Sequence, residues 1–384
     1  MKKTIILTLT AVIFQMTAAL AQEEFKPSVD FKGSRFSAGY LDSGKNGSFS
    51  DGSFQTPDVK LRVNWQMSPD VTVVTRMSLS NATFGGLDYF YMDYKNFFAL
   101  MAPSLKSDES KFNPSLRIGR LKVDIGEETW ADNPVESVVI SNSSAAVKGY
   151  DEGMQIYDDL SLGIPVKWSL SLTNGNSGTG ADNEQAKALC LKIAANPLKD
   201  LYMSVSRYGS GDLGSGKAEI SYAGLADAPA KSEKWQRSIF EFDLRYDFGA
   251  GKESRLNPGA PAWSDSKAFI RLAYGLFDDD GDASGAVVTD RKGSYAFIEG
   301  CYNVTGSIYL GTRYSFTDFE DSDVYASLNG ATANSQTRVS IGAGFRLTNN
   351  THLKFEYMLN GEKVGSGTDE PENDQMGFLF TTKF

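Results

Sequence analysis

Apolar and polar side chains alternate one by one along most of this chain, which is the period of a β-strand with one apolar face. The pattern is clearest at the carboxyl end, where Met376, Phe378, Phe380 and the terminal Phe384 share one face. Such aromatic closing strands are typical of bacterial outer-membrane barrels. The other runs with this period are Val59–Met67, Val166–Leu172, Leu189–Ile193, Phe240–Phe248, Ile270–Leu276, Ile308–Phe316, Val339–Leu347 and Leu353–Leu359.

The connections between these runs are short and long in turn. Short turns are predicted at 68–70, 196–199, 304–306 and 348–350. Long polar loops are predicted at 42–55, 125–150, 174–186, 210–235, 279–292, 319–335 and 361–374. Short turns at one end and long loops at the other are typical of transmembrane barrels. With two longer connections near 99–114 and 249–264, the chain has room for about 16 strands.

The fold class predicted is all-β: a transmembrane antiparallel β-barrel of about 16 strands, with short periplasmic turns and long extracellular loops. Within hydrocarbon each backbone N–H and C=O needs a partner, so a β-sheet in a membrane must close on itself. A soluble β-sandwich, or a pair of them, is the alternative. It is disfavoured because sandwiches seldom keep this asymmetry of connections along a whole chain.

The amino-terminal segment has the features of a secretory signal. Lys2 and Lys3 precede an apolar run from Ile5 to Phe14, and Ala19-Leu20-Ala21 has the small-x-small cleavage pattern. Residues 1–21 are therefore expected to be a signal peptide, cleaved near Ala21, and residues 22–384 the barrel. No later stretch approaches the roughly 18 apolar residues of a membrane helix. We expect the outer membrane of a Gram-negative bacterium.

Composition excludes other classes. Hydrophobic residues make up 41% of the chain, aromatic residues 12%, and glycine occurs 37 times, which suits a one-faced sheet with many turns. A net charge of −10 argues against nucleic acid as a partner. Cys190 and Cys301 are expected to lie four strands apart, too far for a disulfide, and to remain thiols.

The polar face of the predicted strands is basic, and we expect it to line the lumen. The predicted pore-lining residues are Lys60, Arg62, Arg76, Lys95, Arg117, Lys167, Arg271, Arg313, Arg338 and Arg346. The surplus of acid is expected in loops such as 278–280. A basic wall would attract anions, so the sequence predicts a mild anion preference. Pairing of these cations with loop carboxylates, which would cancel the field, is the alternative.

The loop 125–150 is the candidate constriction loop. Within it, the apolar patch Val138-Val139-Ile140 indicates that the loop folds inward against the wall. A 16-stranded barrel is otherwise wide enough for an aqueous channel. The charged residues assigned to this loop are Glu127, Glu128, Asp132, Glu136 and Lys148.

Two stretches, Leu116–Glu127 and Tyr150–Met154, resemble the phosphate-selective porin O/P family. The family has an Arg-x-Gly-x-Phe-Lys-x-Pro-Phe-Gly strand, then a long constriction loop and an Asp-x-Gly strand. This chain departs from it at Leu121 and at Asp124-Ile125. The resemblance implies a 16-stranded trimer that passes anions or other small solutes passively, but its arginine ladder does not map onto this chain. Separately, a break in alternation at Gly119-Arg120 predicts a β-bulge.

Catalytic and metal chemistry find little support. The single histidine, His352, is expected near a periplasmic turn, away from any nucleophilic serine, and no Gly-x-Ser-x-Gly motif occurs. The acidic run 278–282 could ligate calcium, but a solvated loop tip is the preferred interpretation. We expect no enzyme activity, no cofactor and no metal site.

The sequence therefore predicts an outer-membrane porin that allows passive diffusion of small hydrophilic solutes, with a mild anion preference. Its expected partners are outer-membrane lipid, lipopolysaccharide and two further copies in a homotrimer. The alternative is a barrel without a channel that serves as an adhesin or structural surface protein, with loops 210–235 and 319–335 as its contact surface.

Overall fold

A computed structural model describes residues 25–42, 52–100, 112–128, 133–175, 186–214, 220–222, 232–249, 266–283, 291–320, 325–326, 332–364, 369–370 and 372–384. The predicted signal peptide lies outside these ranges. Two short 3₁₀ helices, Ser80–Ala82 and Phe97–Leu100, occur among strands. The strands are β1 (Ser28–Asp30), β2 (Arg35–Leu41), β3 (Ser53–Gln66), β4 (Val71–Ser78), β5 (Gly86–Tyr94), β6 (Ser115–Lys122), β7 (Val147–Ser161), β8 (Pro165–Thr173), β9 (Ala188–Leu198), β10 (Leu201–Gly209), β11 (Leu213–Gly214), β12 (Ile220–Tyr222), β13 (Ser232–Phe248), β14 (Ala268–Ala283), β15 (Arg291–Asn303), β16 (Ile308–Phe319), β17 (Tyr325–Ala326), β18 (Thr332–Thr348), β19 (Thr351–Val364) and β20 (Gln375–Lys383).

Sixteen of these strands form the wall of a closed antiparallel barrel, which confirms the predicted fold class. Neighbouring wall strands pair in chain order, and the ring closes where β2 pairs with β20, from Arg35 opposite Lys383 to Leu41 opposite Gly377. The short strands β1, β11, β12 and β17 are additions to this wall. The closing register gives the aromatic carboxyl-terminal strand partners on both edges, so that its backbone is satisfied without water.

Apart from 95–114 and 249–267, which are long, the connections at one end of the barrel are short turns, and those at the other end are longer. One predicted turn is misplaced: β9 continues through Asn196 and Pro197, and the turn lies at 199–200. Strands β13, β14 and β18 have 16 or 17 residues, several more than the roughly 9–11 that cross a bilayer. They therefore continue beyond the membrane at the long-loop end.

This extension corrects the prediction of a solvated acidic loop at 278–282. These residues belong to β14. Strand alternation turns Asp279 inward, where it is fully buried and accepts from Arg237 Nε at 2.8 Å and from Arg291 Nη2 at 2.7 Å. Asp279 is thus an ion-pair partner within the sheet.

The two faces of the wall differ as the alternation predicts. The outward face is apolar: Ile298 is 50% exposed, Leu191 41% and Phe355 44%. These side chains would face lipid. Their neighbours along the strands point inward and are polar, and Glu299, Lys192 and Glu356 are buried. Polar side chains therefore line the lumen of the barrel, and apolar side chains cover its outer surface.

Two other sequence expectations can be compared with the strand pairing. The prediction of a β-bulge at Gly119-Arg120 is wrong, because β6 keeps a continuous register with both β5 and β7.

Cys190 and Cys301 are buried thiols on β9 and β15, which are four wall strands apart as expected. None of the helices in the described ranges is long and apolar enough to cross a membrane.

We expect that Ile298→Arg, near the middle of β15, will lower the free energy of unfolding by about 2–4 kcal/mol. An arginine there would have to enter hydrocarbon. Unfolding of the protein in lipid vesicles by denaturant, followed by tryptophan fluorescence, measures this change. The matched control is Ser307→Arg at an exposed position in the turn between β15 and β16, where the added charge stays in water. Equal stability losses in the two variants would contradict the assignment of the lipid face.

Candidate functional site

Residues 123–146 leave the wall after β6 and pack against other wall strands before the chain re-enters the wall at β7; we call them the inner segment. Residues 129–132 of this segment lie outside the described ranges. Val123, Ile125, Val138 and Val139 are all buried. A long connection with so many buried apolar residues is anchored to the barrel and does not extend into solvent.

Charged side chains of the wall hold the second half of the inner segment. Glu356 on β19 accepts from the Ser141 backbone N and from its Oγ, both at 2.6 Å. Arg313 on β16 donates to the Ser141 carbonyl at 2.6 Å. Lys354 donates to the Ser137 carbonyl, and Arg338 Nη1 donates to the Asn142 carbonyl at 2.8 Å. The backbone groups of the segment are thus satisfied by wall charges.

Two glycines make room for this contact. A Cβ added at Gly311 on β16 would lie 2.1 Å from Val138 Cγ1, and one added at Gly342 on β18 would lie 2.9 Å from Val139 Cγ1. Both distances are shorter than any real carbon contact, so a larger residue would push the segment away from the wall. The lack of a side chain at Gly311 and Gly342 therefore allows the inner segment to lie this close to the wall.

The first half of the inner segment crosses β8, β9 and β10. Lys192 on β9 contacts Asp124 at 3.2 Å and Glu127 at 2.8 Å. Tyr202 on β10 donates to Glu127. Burial acts to raise the pKa of Asp124, but the Lys192 ammonium and the Ser169 hydroxyl stabilise its charged form, so its pKa lies below the ordinary value.

A cavity of about 890 Å³ lies on the side of the barrel that the inner segment leaves open. It is bounded by β1 to β10 and the end of β20 on one side and by the inner segment on the other. Nine cationic side chains and five carboxylates line it. They are Lys32, Arg35, Arg62, Arg76, Arg117, Lys122, Lys167, Lys192 and Lys383, and Asp30, Asp93, Asp124, Glu127 and Glu136.

Tyrosines support the arginines of this cavity. Arg76 lies 4.6 Å from the ring centre of Tyr89, and Arg117 lies 4.4 Å from that of Tyr91 and 5.0 Å from that of Tyr157. Stacking on an aromatic face holds a guanidinium in one orientation. Arg117 also donates to Asp93 at 2.9 Å, and Arg76 to Asp88 at 2.8 Å.

The ten predicted pore-lining residues divide into groups. Four line the cavity: Arg62, Arg76, Arg117 and Lys167. Four others lie on β14, β16 and β18 away from it, and bond to Glu299, to the inner segment or to the 304–307 turn: Arg271, Arg313, Arg338 and Arg346. Lys60 pairs with Asp88 at 3.1 Å. Lys95 is exposed in the turn after β5 and lies outside the wall strands.

The charged residues assigned to the constriction loop lie as follows. Glu127 pairs with Lys192, Glu128 with Arg313 at 3.2 Å, and Glu136 with Lys383 at 2.7 Å. Lys148 is exposed on β7 and so follows the inner segment. Asp132 lies outside the described residues.

Sequence reasoning missed the tyrosines that line the cavity. Tyr89 and Tyr91 alternate with Phe90 and Met92 along β5, so the period of two could have placed them inward with Asp93. An apolar-out, polar-in pattern does not predict aromatic rings at inward positions, so the pattern alone does not reveal them. His352 is buried beside Tyr309, with ring centres 6.2 Å apart. Within the described residues, no group of three or more His, Cys, Asp or Glu side chains could hold a metal ion.

Comparison with solved structures identifies the fold. The outer-membrane channel DcaP of Acinetobacter baumannii matches with a TM-score of 0.60 and 14% identity, over 94% of this chain and 99% of that one. The anion-selective porin of Comamonas acidovorans gives 0.58 and 12%, over 94% and 100%. OmpT of Vibrio cholerae, in its trimer form, gives 0.55 and 12%, over 94% and 100%. No protein-family model and no curated protein matches the chain. The chain thus has the fold of outer-membrane porins.

We expect Val139→Cys with Gly342→Cys to form a disulfide on mild oxidation, because a Cβ at Gly342 would lie 3.8 Å from Val139 Cβ. Disulfides join Cβ atoms that are about 3.8 Å apart. Val138→Cys with Gly311→Cys, at 3.5 Å, is a second test of the same contact. Cys190 and Cys301 are replaced by serine in all variants, and bridges are detected by mass spectrometry.

The single-cysteine variants serve as controls and should show no intramolecular bridge. Absence of a bridge in both pairs, in protein that is folded in membranes, would contradict the packing of the inner segment against β16 and β18.

Proposed function

We propose that this protein is an outer-membrane porin that allows passive diffusion of small hydrophilic solutes, with a mild preference for anions. The observation that carries this proposal is the cavity beside the inner segment, whose lining has nine cationic side chains and five carboxylates. A cationic lining inside a low-dielectric barrel raises the local concentration of anions and lowers that of cations.

The width of the barrel supports a channel. Side chains of a 16-stranded wall are too short to fill its interior. The second half of the inner segment lies against β16 to β19, through its contacts with Arg313, Arg338 and Glu356. The cavity on the opposite side would be the narrowest part of a water-filled path, with the inner segment as the constriction. Flux would follow the solute gradient without an energy source.

The wider setting is part of the same proposal. The apolar outward face requires a lipid environment, and a Gram-negative outer membrane, with lipopolysaccharide in its outer leaflet, provides one for this fold. Export would depend on the signal peptide. A homotrimer is proposed by analogy with the trimer form of Vibrio cholerae OmpT. A preference for phosphate is not proposed, because the arginine ladder of the phosphate-selective family does not map onto this chain.

We expect purified protein in a planar lipid bilayer to give steady conductance steps, and its reversal potential in a KCl gradient to indicate anion preference. Arg117→Gln should lower the ratio of anion to cation permeability by about twofold, since it removes one positive charge from the lining. Lys292→Gln, at an exposed position on β15 outside the cavity, is the matched control and should leave the ratio unchanged.

The outcomes separate the alternatives. Clear cation selectivity of the unmodified protein would contradict the anion preference but leave the channel. A folded protein with no conductance would contradict the porin proposal and favour a surface adhesin.

A further inference from the structure

The cations that line the cavity differ in whether a carboxylate neutralises them. Acidic side chains pair with Arg35, Arg76, Arg117, Lys192 and Lys383. Within the described part of the chain, Arg62 on β3 makes no ion pair. Its only side-chain hydrogen bond there is from Nε to Asn64 Oδ1, at 2.8 Å. The two terminal nitrogens of this guanidinium therefore keep their donors for a solute.

Charge around Arg62 is locally unbalanced. Arg62 lies directly opposite Arg76 in the pairing of β3 with β4. Lys60, two residues along the same face, binds Asp88 at 3.1 Å, and Arg76 binds the same carboxylate at 2.8 Å. Lys60 and Arg76 thus share Asp88, and Asp30 is linked to Arg62 through the Asn64 amide, so three cations lie near two carboxylates. Like charges directly opposite one another across two strands destabilise the sheet, and an added anion would relieve this repulsion.

The Arg62 side chain is held in place before any solute arrives. Asn64, which accepts from its Nε, also donates to Asp30 Oδ1 at 2.6 Å and to the Lys32 carbonyl at 3.0 Å. Its stem lies against Gly33, where an added Cβ would be 2.9 Å from Arg62 Cδ. Gly33 has φ of +93°, a conformation that favours glycine. A guanidinium fixed in this way loses little freedom when it binds.

The local backbone explains why this position is open. Strands β1 and β2 both pair with β3, but residues 31–34 between them do not, and Arg62 lies opposite this interruption. The Arg62 backbone N donates to Ser34 Oγ at 2.9 Å in place of a ladder bond. Such interruptions in a sheet redirect side chains, and they often lie next to functional sites.

We propose that Arg62, with Arg76 beside it, forms a binding subsite for the oxyanion group of a solute, either a carboxylate or a phosphate. The proposal rests on the channel function proposed above and names the chemistry that the channel recognises. A guanidinium presents two parallel N–H donors that match the two oxygens of such a group. Lys167, which also lines the cavity, has a single mobile ammonium and lacks this fork.

The test is block of chloride current through single channels by inorganic phosphate and, separately, by acetate, at constant ionic strength. We expect both probes to reduce the current of the unmodified protein, and the tighter one identifies the preferred oxyanion. Arg62→Gln should raise the half-blocking concentration by about tenfold or more, the effect of losing hydrogen bonds to a charged group.

Charge and contact are separated by three further variants. Lys167→Gln removes the same charge from the same cavity, so it should shift the reversal potential but change the half-blocking concentration by less than about twofold. Arg62→Lys keeps the charge and should weaken block by about threefold or more because the fork is lost. Asn64→Ala changes no charge and should weaken block by releasing Arg62.

Equal block in Arg62→Gln and the unmodified protein would overturn the subsite. So would equal weakening by Arg62→Gln and Lys167→Gln, since block would then reflect charge alone. A channel that conducts but is blocked by neither probe overturns the subsite and leaves the porin function. A folded protein without conductance overturns both.

Discussion

The hydrogen bonds between the inner segment and the charged wall of β16 to β19 are the interaction on which the rest of the structure depends. A buried charge without a partner is costly, and so is a buried backbone group without one. Glu356 accepts a hydrogen bond from the Ser141 backbone N, and Arg313 donates one to the Ser141 carbonyl. These bonds replace the water that each charged side chain would otherwise bind. Neither part is stable inside the barrel without the other, so the position of the segment follows from the chemistry of the wall.

The contact between the inner segment and the wall fills one side of the barrel interior and leaves a cavity on the other. Where Gly311 and Gly342 allow close approach, the inner segment lies against the wall and the interior is filled. The inner segment is held by side chains of β9, β10, β16 and β20, and the cavity lies against β3, β4 and β5. Basic residues of the wall therefore differ in role: Arg313 anchors the segment, Arg62 faces the cavity, and Lys192 does both.

The fold was predictable because strand alternation and connection length are local properties of the sequence. The apolar patch at Val138-Val139 also predicted an inward fold for its loop, and both side chains are buried. The division of cations was not predictable, since Arg313 and Ser141 are 172 residues apart and no local period relates them. Asp279 was misassigned for a simpler reason: an acidic run is typical of a loop, and strand extension beyond the membrane has no clear local signal.

The distribution of pairs explains how an acidic chain can have a basic cavity. With a net charge of −10, the chain as a whole would repel anions. An ion pair such as Arg117 with Asp93 is nearly neutral to a solute at some distance, so counting inward arginines overstates the field. What remains is the surplus where cations outnumber carboxylates. On the wall of β3 and β4, Lys60 and Arg76 share Asp88, and Arg62 lies opposite Arg76 with no ion pair in the described residues. Selectivity in such a lumen depends on which charges lack a partner, and hence on the contacts that the inner segment makes elsewhere.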